Sequence, residues 1–201
     1  MPYRFIIVIS LLLFRVNFTQ DATAQQHSYT INLRGDKIGE ISATKVEDAG
    51  MTSYLVISDV TFKVLWKSYN RKTEHDLLIE NNRIKKSYSG IYMNKTKEDS
   101  ASMEYFDNSY KCFKFPDKHF NLENADISYF SAKMYFEEPI NIKSVFSERF
   151  LEYCPLEALG DHKYKLSLPN GKENIYTYAD GKLVEVYVDR TWFSLKFEKQ
   201  H

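Results

Sequence analysis

Polar and apolar positions alternate with a period of two through most of the chain from residue 28 onward. Tyr29, Ile31 and Leu33 alternate with Thr30, Asn32 and Arg34, and Gly35-Asp36-Lys37 then turns the chain into 38–46. Successive strand side chains point to opposite faces, so this pattern predicts half-buried β-strands. The longest run is 52–66. Tyr54, Val56, Val60, Phe62, Val64 and Trp66 fall on one face, and Asp59, Thr61 and Lys63 on the other. A strand of that length coils across a curved sheet. Further strands are expected at 67–80 and 83–92 around Asn81-Asn82, and at 102–106 and 110–115 around Asp107-Asn108, with 94–100 as a polar loop. In the last quarter, 162–168, 174–179, 183–188 and 192–198 are punctuated by Pro169-Asn170-Gly171 and Asp180-Gly181. Asn-Gly and Asp-Gly readily take the positive φ angles of tight hairpins.

One segment departs from this alternation. Ile127, Phe130, Met134 and Tyr135 stand at i, i+3, i+7 and i+8, the spacing of one helical face, with Asp126 placed to cap and Pro139 to stop. The expected fold is therefore mainly β: a single curled antiparallel sheet or half-open β-barrel with one short helix at about 126–138. A different pattern opens the chain. Arg4 precedes a ten-residue apolar run from Phe5 to Phe14, interrupted only by Ser10, Arg15 ends the run, and Ala22-Thr23-Ala24 supplies small residues before a cut. These are the three parts of a cleaved secretory signal. A membrane span needs about 20 apolar residues, so no transmembrane span is expected. Residues 1–24 are read as the signal and 25–201 as a single antiparallel β domain, exported to the periplasm or the extracellular space. No Cys follows the apolar run to carry a lipid.

Composition narrows the function. The chain has 27 basic and 27 acidic residues. Losing Arg4, Arg15 and Asp21 with the signal leaves it one charge to the acidic side of neutral. Proteins that grip nucleic acid carry a basic excess or stripe, so no nucleic-acid partner is expected. His27, His75, His119, His162 and His201 form no HxH or HExxH spacing, and there is no Gly-rich phosphate loop or G-x-S-x-G elbow. Neither a metal nor another cofactor is expected. Cys112 and Cys154 are open to two readings, a disulfide of an exported protein or two buried free thiols.

The most unusual stretch runs from Tyr135-Phe136-Glu137-Glu138-Pro139 to Ser144-Val145-Phe146-Ser147-Glu148-Arg149-Phe150. Glu138, Ser147, Glu148 and Arg149 could form a polar binding site there, or could satisfy backbone groups of a buried loop. Trp66 and Trp192 are the aromatics to watch for a ligand cavity, against the alternative that most aromatics pack the core. Asp99-Ser100-Ala101 matches a short O-glycosylation signal with Ser100 as the acceptor, in what reads as a polar loop.

The runs YTINLRGDKIGEISATK at 29–45, FKVLW at 62–66, YFEEPINIKSVFSERF at 135–150 and PNGKENIYTYADGKL at 169–183 resemble an uncharacterised family of exported proteins from Bacteroidota. Leu151 stands where that family often has Gly. The resemblance implies export and an antiparallel β fold, and no activity. A looser similarity in layout links such proteins to periplasmic lipoprotein carriers, a fold-level analogy. The leading expectation is a non-enzymatic periplasmic or envelope protein that binds an apolar small molecule or lipid. The alternatives are an envelope protein–protein interaction module and, ranked last, a hydrolase using acidic residues near 137–149.

Overall fold

The structure is a computed structural model that describes residues 22–123, 125–190 and 193–200. The predicted signal, apart from Ala22-Thr23-Ala24, and Trp192 lie outside the described residues.

Fourteen strands form one antiparallel sheet. They are β1 (Thr23–Leu33), β2 (Asp36–Asp48), β3 (Met51–Val64), β4 (Lys67–Glu80), β5 (Arg83–Met93), β6 (Thr96–Phe106), β7 (Ser109–Lys114) and β8 (Lys118–Glu123), then β9 (Ser144–Ser147), β10 (Glu152–Gly160), β11 (Lys163–Ser167), β12 (Glu173–Ala179), β13 (Lys182–Arg190) and β14 (Phe193–Lys199). Their order is β8-β7-β6-β5-β4-β3-β2-β1-β14-β13-β12-β11-β10-β9. Every neighbour is therefore a sequence neighbour except β1 and β14, which pair from Leu33↔Leu195 to Tyr29↔Lys199. The sheet curls but does not close, because β8 and β9, its two edges, are not paired to each other. Bulges between Ile31 and Asn32, Leu78 and Ile79, and Ile91 and Tyr92 add local twist. Gly39 sits at a tight bend, where an added Cβ would stand 2.2 Å from the Asp59 carbonyl oxygen.

Two-residue turns join most neighbours. Asn81, Asn82, Asn94, Asp107, Asn108 and Asp180 take positive φ there, the conformation those side chains tolerate best. The expected loop at 94–100 shrinks to Asn94-Lys95, and the remainder is the start of β6. Ser100 pairs with Gly90, its carbonyl accepts the Phe115 N–H at 2.8 Å, and its side chain lies in a residue only 4% exposed. The tripeptide thus lacks the exposed loop that a glycan at Ser100 requires. β8, β9 and β10 were absent from the sequence expectation.

The connection between β8 and β9 enters the curl and plugs one end of it. The expected helix at 126–138 is a 3₁₀ helix of five residues, Ser131–Tyr135. The segment before it is extended. Phe130 makes a parallel bridge to Phe146, the Phe146 N–H donates to the Tyr129 carbonyl at 3.0 Å, and Ser131 Oγ donates to the Phe146 carbonyl at 3.3 Å. These bonds cover the outer edge of β9, which would otherwise invite pairing with another chain. Ile127, Tyr129, Phe130, Ala132 and Met134 are all buried. Apolar residues surrounded on every side have no need of a one-sided helical stripe, so the spacing that suggested a helix marks a plug.

Both ends of the plug are anchored by side chains. Glu148, 0% exposed, accepts the Ala132 N–H at 2.8 Å. Tyr178 donates to the Met134 carbonyl at 2.8 Å and Tyr129 to the Glu137 carbonyl at 2.5 Å. Tyr29 bridges toward the Leu183 and Tyr135 carbonyls at 3.4 and 3.5 Å. Tyr54 meets Phe130 and Phe136 edge-on at 5.2 and 5.6 Å. A 3₁₀ helix leaves amides unpaired at its start and carbonyls at its end; here Glu148 of the β9–β10 turn and Tyr178 of β12 supply partners, while Tyr129 ties the plug to itself just beyond the helix.

Burial raises the Glu148 carboxyl above its ordinary value, against the amide hydrogen bonds that lower it. The folded state therefore holds this proton more tightly than the unfolded chain. The fold gains stability as pH falls through the raised value, and loses it as pH rises. Glu148→Gln keeps an acceptor for Ala132 and is expected to stay within about 1 kcal/mol of wild type at neutral pH. Glu148→Ala strands the amide and should lose at least about 2 kcal/mol. Urea denaturation of the two variants checks this, and the wild type should gain on the Gln variant as the pH is lowered.

Candidate functional site

The end of the curl opposite the plug is open. A cleft of about 570 Å³ lies there, within the roughly 300–1,000 Å³ typical of small-molecule sites. Its floor and walls are mainly apolar, with Ile31, Val60 and Phe62 from β1 and β3 and Val188, Leu195 and Phe197 from β13 and β14, and Ser58 and Thr73 add two hydroxyls. The β1–β14 pairing brings these strands together, since Ile31 lies opposite Phe197 and Val188 opposite Leu195. The rim is cationic, with Lys63, Arg71, Arg149 and Lys172.

Arg71 reaches the cleft because β4 alternates. Arg71, Thr73, His75 and Leu77 share a face, opposite Val60, Ser58, Val56 and Tyr54 of β3. Leu77 is core, so the face that buries Leu77 at one end brings Arg71 to the open end. Arg71 pairs with Glu98 at 3.7 Å, and Arg149 with Asp99 at 3.3 Å. The second pair ties the β9–β10 turn to β6, across the gap the sheet leaves open. Burial first, and the nearby Arg149 second, disfavour the Arg71 charge, and Glu98 and Asp99 offset part of that; the net shift is down.

The residues singled out in the sequence separate. Among those that are described, Arg149 alone lines the cleft. Ser147 and Glu148 lie just behind it: the Ser147 Oγ accepts the Phe150 N–H at 3.4 Å, and Glu148 holds the plug. Leu151 closes this turn with φ +54° and is itself buried, so a side chain occupies the left-handed position where glycine was expected. Glu138 joins a different network, accepting from His162 Nδ1 at 2.8 Å and Tyr164 Oη at 2.7 Å, with its side chain 5% exposed. Burial raises its carboxyl, but the hydrogen bonds from Tyr164 and His162 outweigh it, so the net shift is down. The two carboxylates thus serve separate structural networks, and Glu148 presents no surface to water or sugar. Trp66 belongs to the β3–β4 turn, is 83% exposed, and does not line the cleft. Cys112 and Cys154 are buried free thiols, and burial pushes both up to about 11. Neither is a thiolate at neutral pH.

Arg71, Lys63 and Lys172 were missed. The apolar triplet Leu77-Leu78-Ile79 spans a bulge, which hides the inward parity of Arg71. A second, shallower depression of about 370 Å³ lies between Asn32 and Tyr187; there Lys196 bridges Glu185 and Glu198, Asn32 binds Glu198, and Arg34 stands at its side.

An open antiparallel β-barrel, plugged at one end and carrying an amphipathic cleft at the other, is the class of protein this fold and site define. The chain belongs to the family described as a domain of unknown function, DUF6134, which matches residues 29–200. Among solved structures it is similar to the beta-barrel-like protein of domain of unknown function DUF1849 from Brucella abortus. The TM-score is 0.52 at 10% identity, covering 87% of this chain and 95% of that one. At that identity the likeness is one of fold. No curated protein matches the chain.

His75, on the same face of β4 as the cleft residues Arg71 and Thr73, gives the fold a pH signature. Burial first, and Arg149 second, lower its pKa from 6.5 to about 4. Between those values the unfolded chain binds a proton that the folded one refuses, so stability falls as pH drops from 6.5 toward 4. His75→Gln should flatten that part of the curve relative to wild type, as read by thermal melts across the range. Parallel curves would contradict the assignment.

Proposed function

We propose that this is a non-catalytic binding protein of the cell envelope, exported by the signal at 1–24, whose cleft takes an amphipathic lipid. The acyl chain lies on the floor between Val60, Leu195 and Phe197, and an acidic headgroup lies at Arg71 and Lys63. One observation carries this reading: a cleft of about 570 Å³ that combines an apolar floor with a cationic rim. Burying each CH₂ of a chain contributes about 0.8 kcal/mol, and the rim adds charge-assisted hydrogen bonds to the headgroup.

Export fits the chain as folded. Cutting after Ala24 removes only two β1 pairs, Thr23↔Glu47 and Ala24↔Val46, and leaves the rest of the β1–β2 ladder. Among the described residues no helix is long and apolar enough to cross a membrane.

Displacement of cis-parinaric acid, a fluorescent fatty acid, tests the reading. Wild type should bind the probe, and Leu195→Asp should abolish binding. Arg71→Gln should weaken it about tenfold, the scale of one hydrogen bond to a charged group, while leaving a fatty alcohol of equal length unaffected. No probe binding by folded wild type, or equal binding by Leu195→Asp, would overturn it.

A further inference from the structure

The β3–β4 hairpin outruns its neighbours. Val60 is the last β3 residue paired with β2, and Arg71 the first β4 residue in the ladder to β5. Residues 61–64 and 67–70 pair across the hairpin, from Thr61↔Asn70 to Val64↔Lys67. Among the described residues its backbone is tied to the neighbouring turn at Asn70 alone, where the Asn94 N–H donates to the Asn70 carbonyl at 2.8 Å and the Asn70 N–H to Asn94 Oδ1 at 2.9 Å. Four residues per strand project roughly 13 Å at the ordinary strand rise. Phe62 and Tyr69 stack across the base at 5.7 Å and 18°, and Phe62 is also a wall of the cleft. The finger therefore rises from the cleft's mouth.

Its tip is Leu65-Trp66, 82% and 83% exposed. Leu65 takes φ +56°, where Asn81, Asn94 and Asp107 stand at the first position of neighbouring turns. Turn chemistry thus favours a polar residue, and an apolar one is present. Lys63 and Lys67 flank the tip, and neither has a carboxylate partner among the described residues.

The rest of this end has the same sign. The strand order makes β1–β2, β3–β4, β5–β6, β7–β8, β9–β10 and β11–β12 turn at one end. Their connections carry Arg34, Lys95, Arg149 and Lys172 against the exposed Asp117, and the adjoining strand starts carry Lys67 and Lys118 against Asp36, Glu152 and Glu173. The hairpin turns of the opposite end carry Asp107, Asp161 and Asp180. We infer that the β3–β4 finger is a membrane-docking element. Leu65 and Trp66 enter the interface of an anionic lipid surface, Lys63 and Lys67 meet its headgroups, and the cleft's mouth faces the bilayer. Tryptophan and lysine are the side chains suited to that interface. The inference goes beyond cleft binding and stands without it.

Vesicle co-sedimentation tests it, together with Trp66 emission in a Trp192→Phe background, where Trp66 is the sole tryptophan. Mixed phosphatidylglycerol–phosphatidylethanolamine vesicles should bind the protein, shift the emission to the blue and release the protein at high salt. Pure phosphatidylcholine vesicles should bind far less. Leu65→Asn with Trp66→Gly installs a favoured turn, so the variant should fold at least as stably and lose binding at least tenfold. Lys63→Gln with Lys67→Gln should lose about thirtyfold. Unchanged emission, equal binding to neutral vesicles, or full binding by the folded Asn-Gly variant would overturn the inference. Parinaric acid displacement without vesicles reads the cleft alone and should be unchanged in the Asn-Gly variant, so failure of one site is distinguishable from failure of the other.

Discussion

The hydrogen bond from the Ala132 amide to Glu148 is where the open sheet and its connecting segment are fixed to each other. A fourteen-strand meander has an edge at each side, and here these edges belong to β8 and β9, consecutive in the chain. The chain between them cannot lie idle: its backbone polar groups are buried and need partners. Glu148 serves the amide end of the 3₁₀ helix, and Tyr178 and Tyr129 serve carbonyls at its far end. With the plug held at one end, the interior at the other is left unfilled by the chain itself. The cleft is the consequence of a barrel plugged at one end only.

The same geometry sorts charge. Along the sequence, basic and acidic residues are interspersed and sum to zero. In an antiparallel meander alternate turns lie at the same end, so a modest bias in alternate turns becomes a difference between two ends. Arg34, Lys95 and Lys172 lie in turns at the cleft's end of the sheet, and Asp107, Asp161 and Asp180 in turns at the plugged end. Net charge, which argued against a nucleic-acid partner, conceals this polarity. The Arg149–Asp99 pair spans the open gap beside the cleft, so one of the rim's cations also links the sheet's two sides.

Most of the strands were legible because one face of each is buried and alternation reports that directly. The plug was not, because Ile127, Phe130 and Met134 are enclosed on all sides and their spacing mimics a helical stripe. β9 and β10 were hidden for a related reason: Ser147 and Glu148 are polar yet internal, the Ser147 Oγ and Glu148 Oε1 each accepting a backbone amide that sequence does not reveal. The block containing Glu138 and Glu148 was recognisable as unusual, but its importance is in holding the plug. Arg149 is the one member that reaches the cleft. The remaining cleft residues come from strands distant in sequence, such as Val60 and Leu195, and meet only through the β1–β14 pairing.

Methyl NMR during titration with a long-chain fatty acid tests the central claim most directly. If the open end is the binding chamber, the methyls of Val60, Leu168, Val188 and Leu195 shift on saturation, while those of Ile127 and Met134 in the plug stay where they are. Shifts confined to the plug, or none at saturating fatty acid, would contradict it.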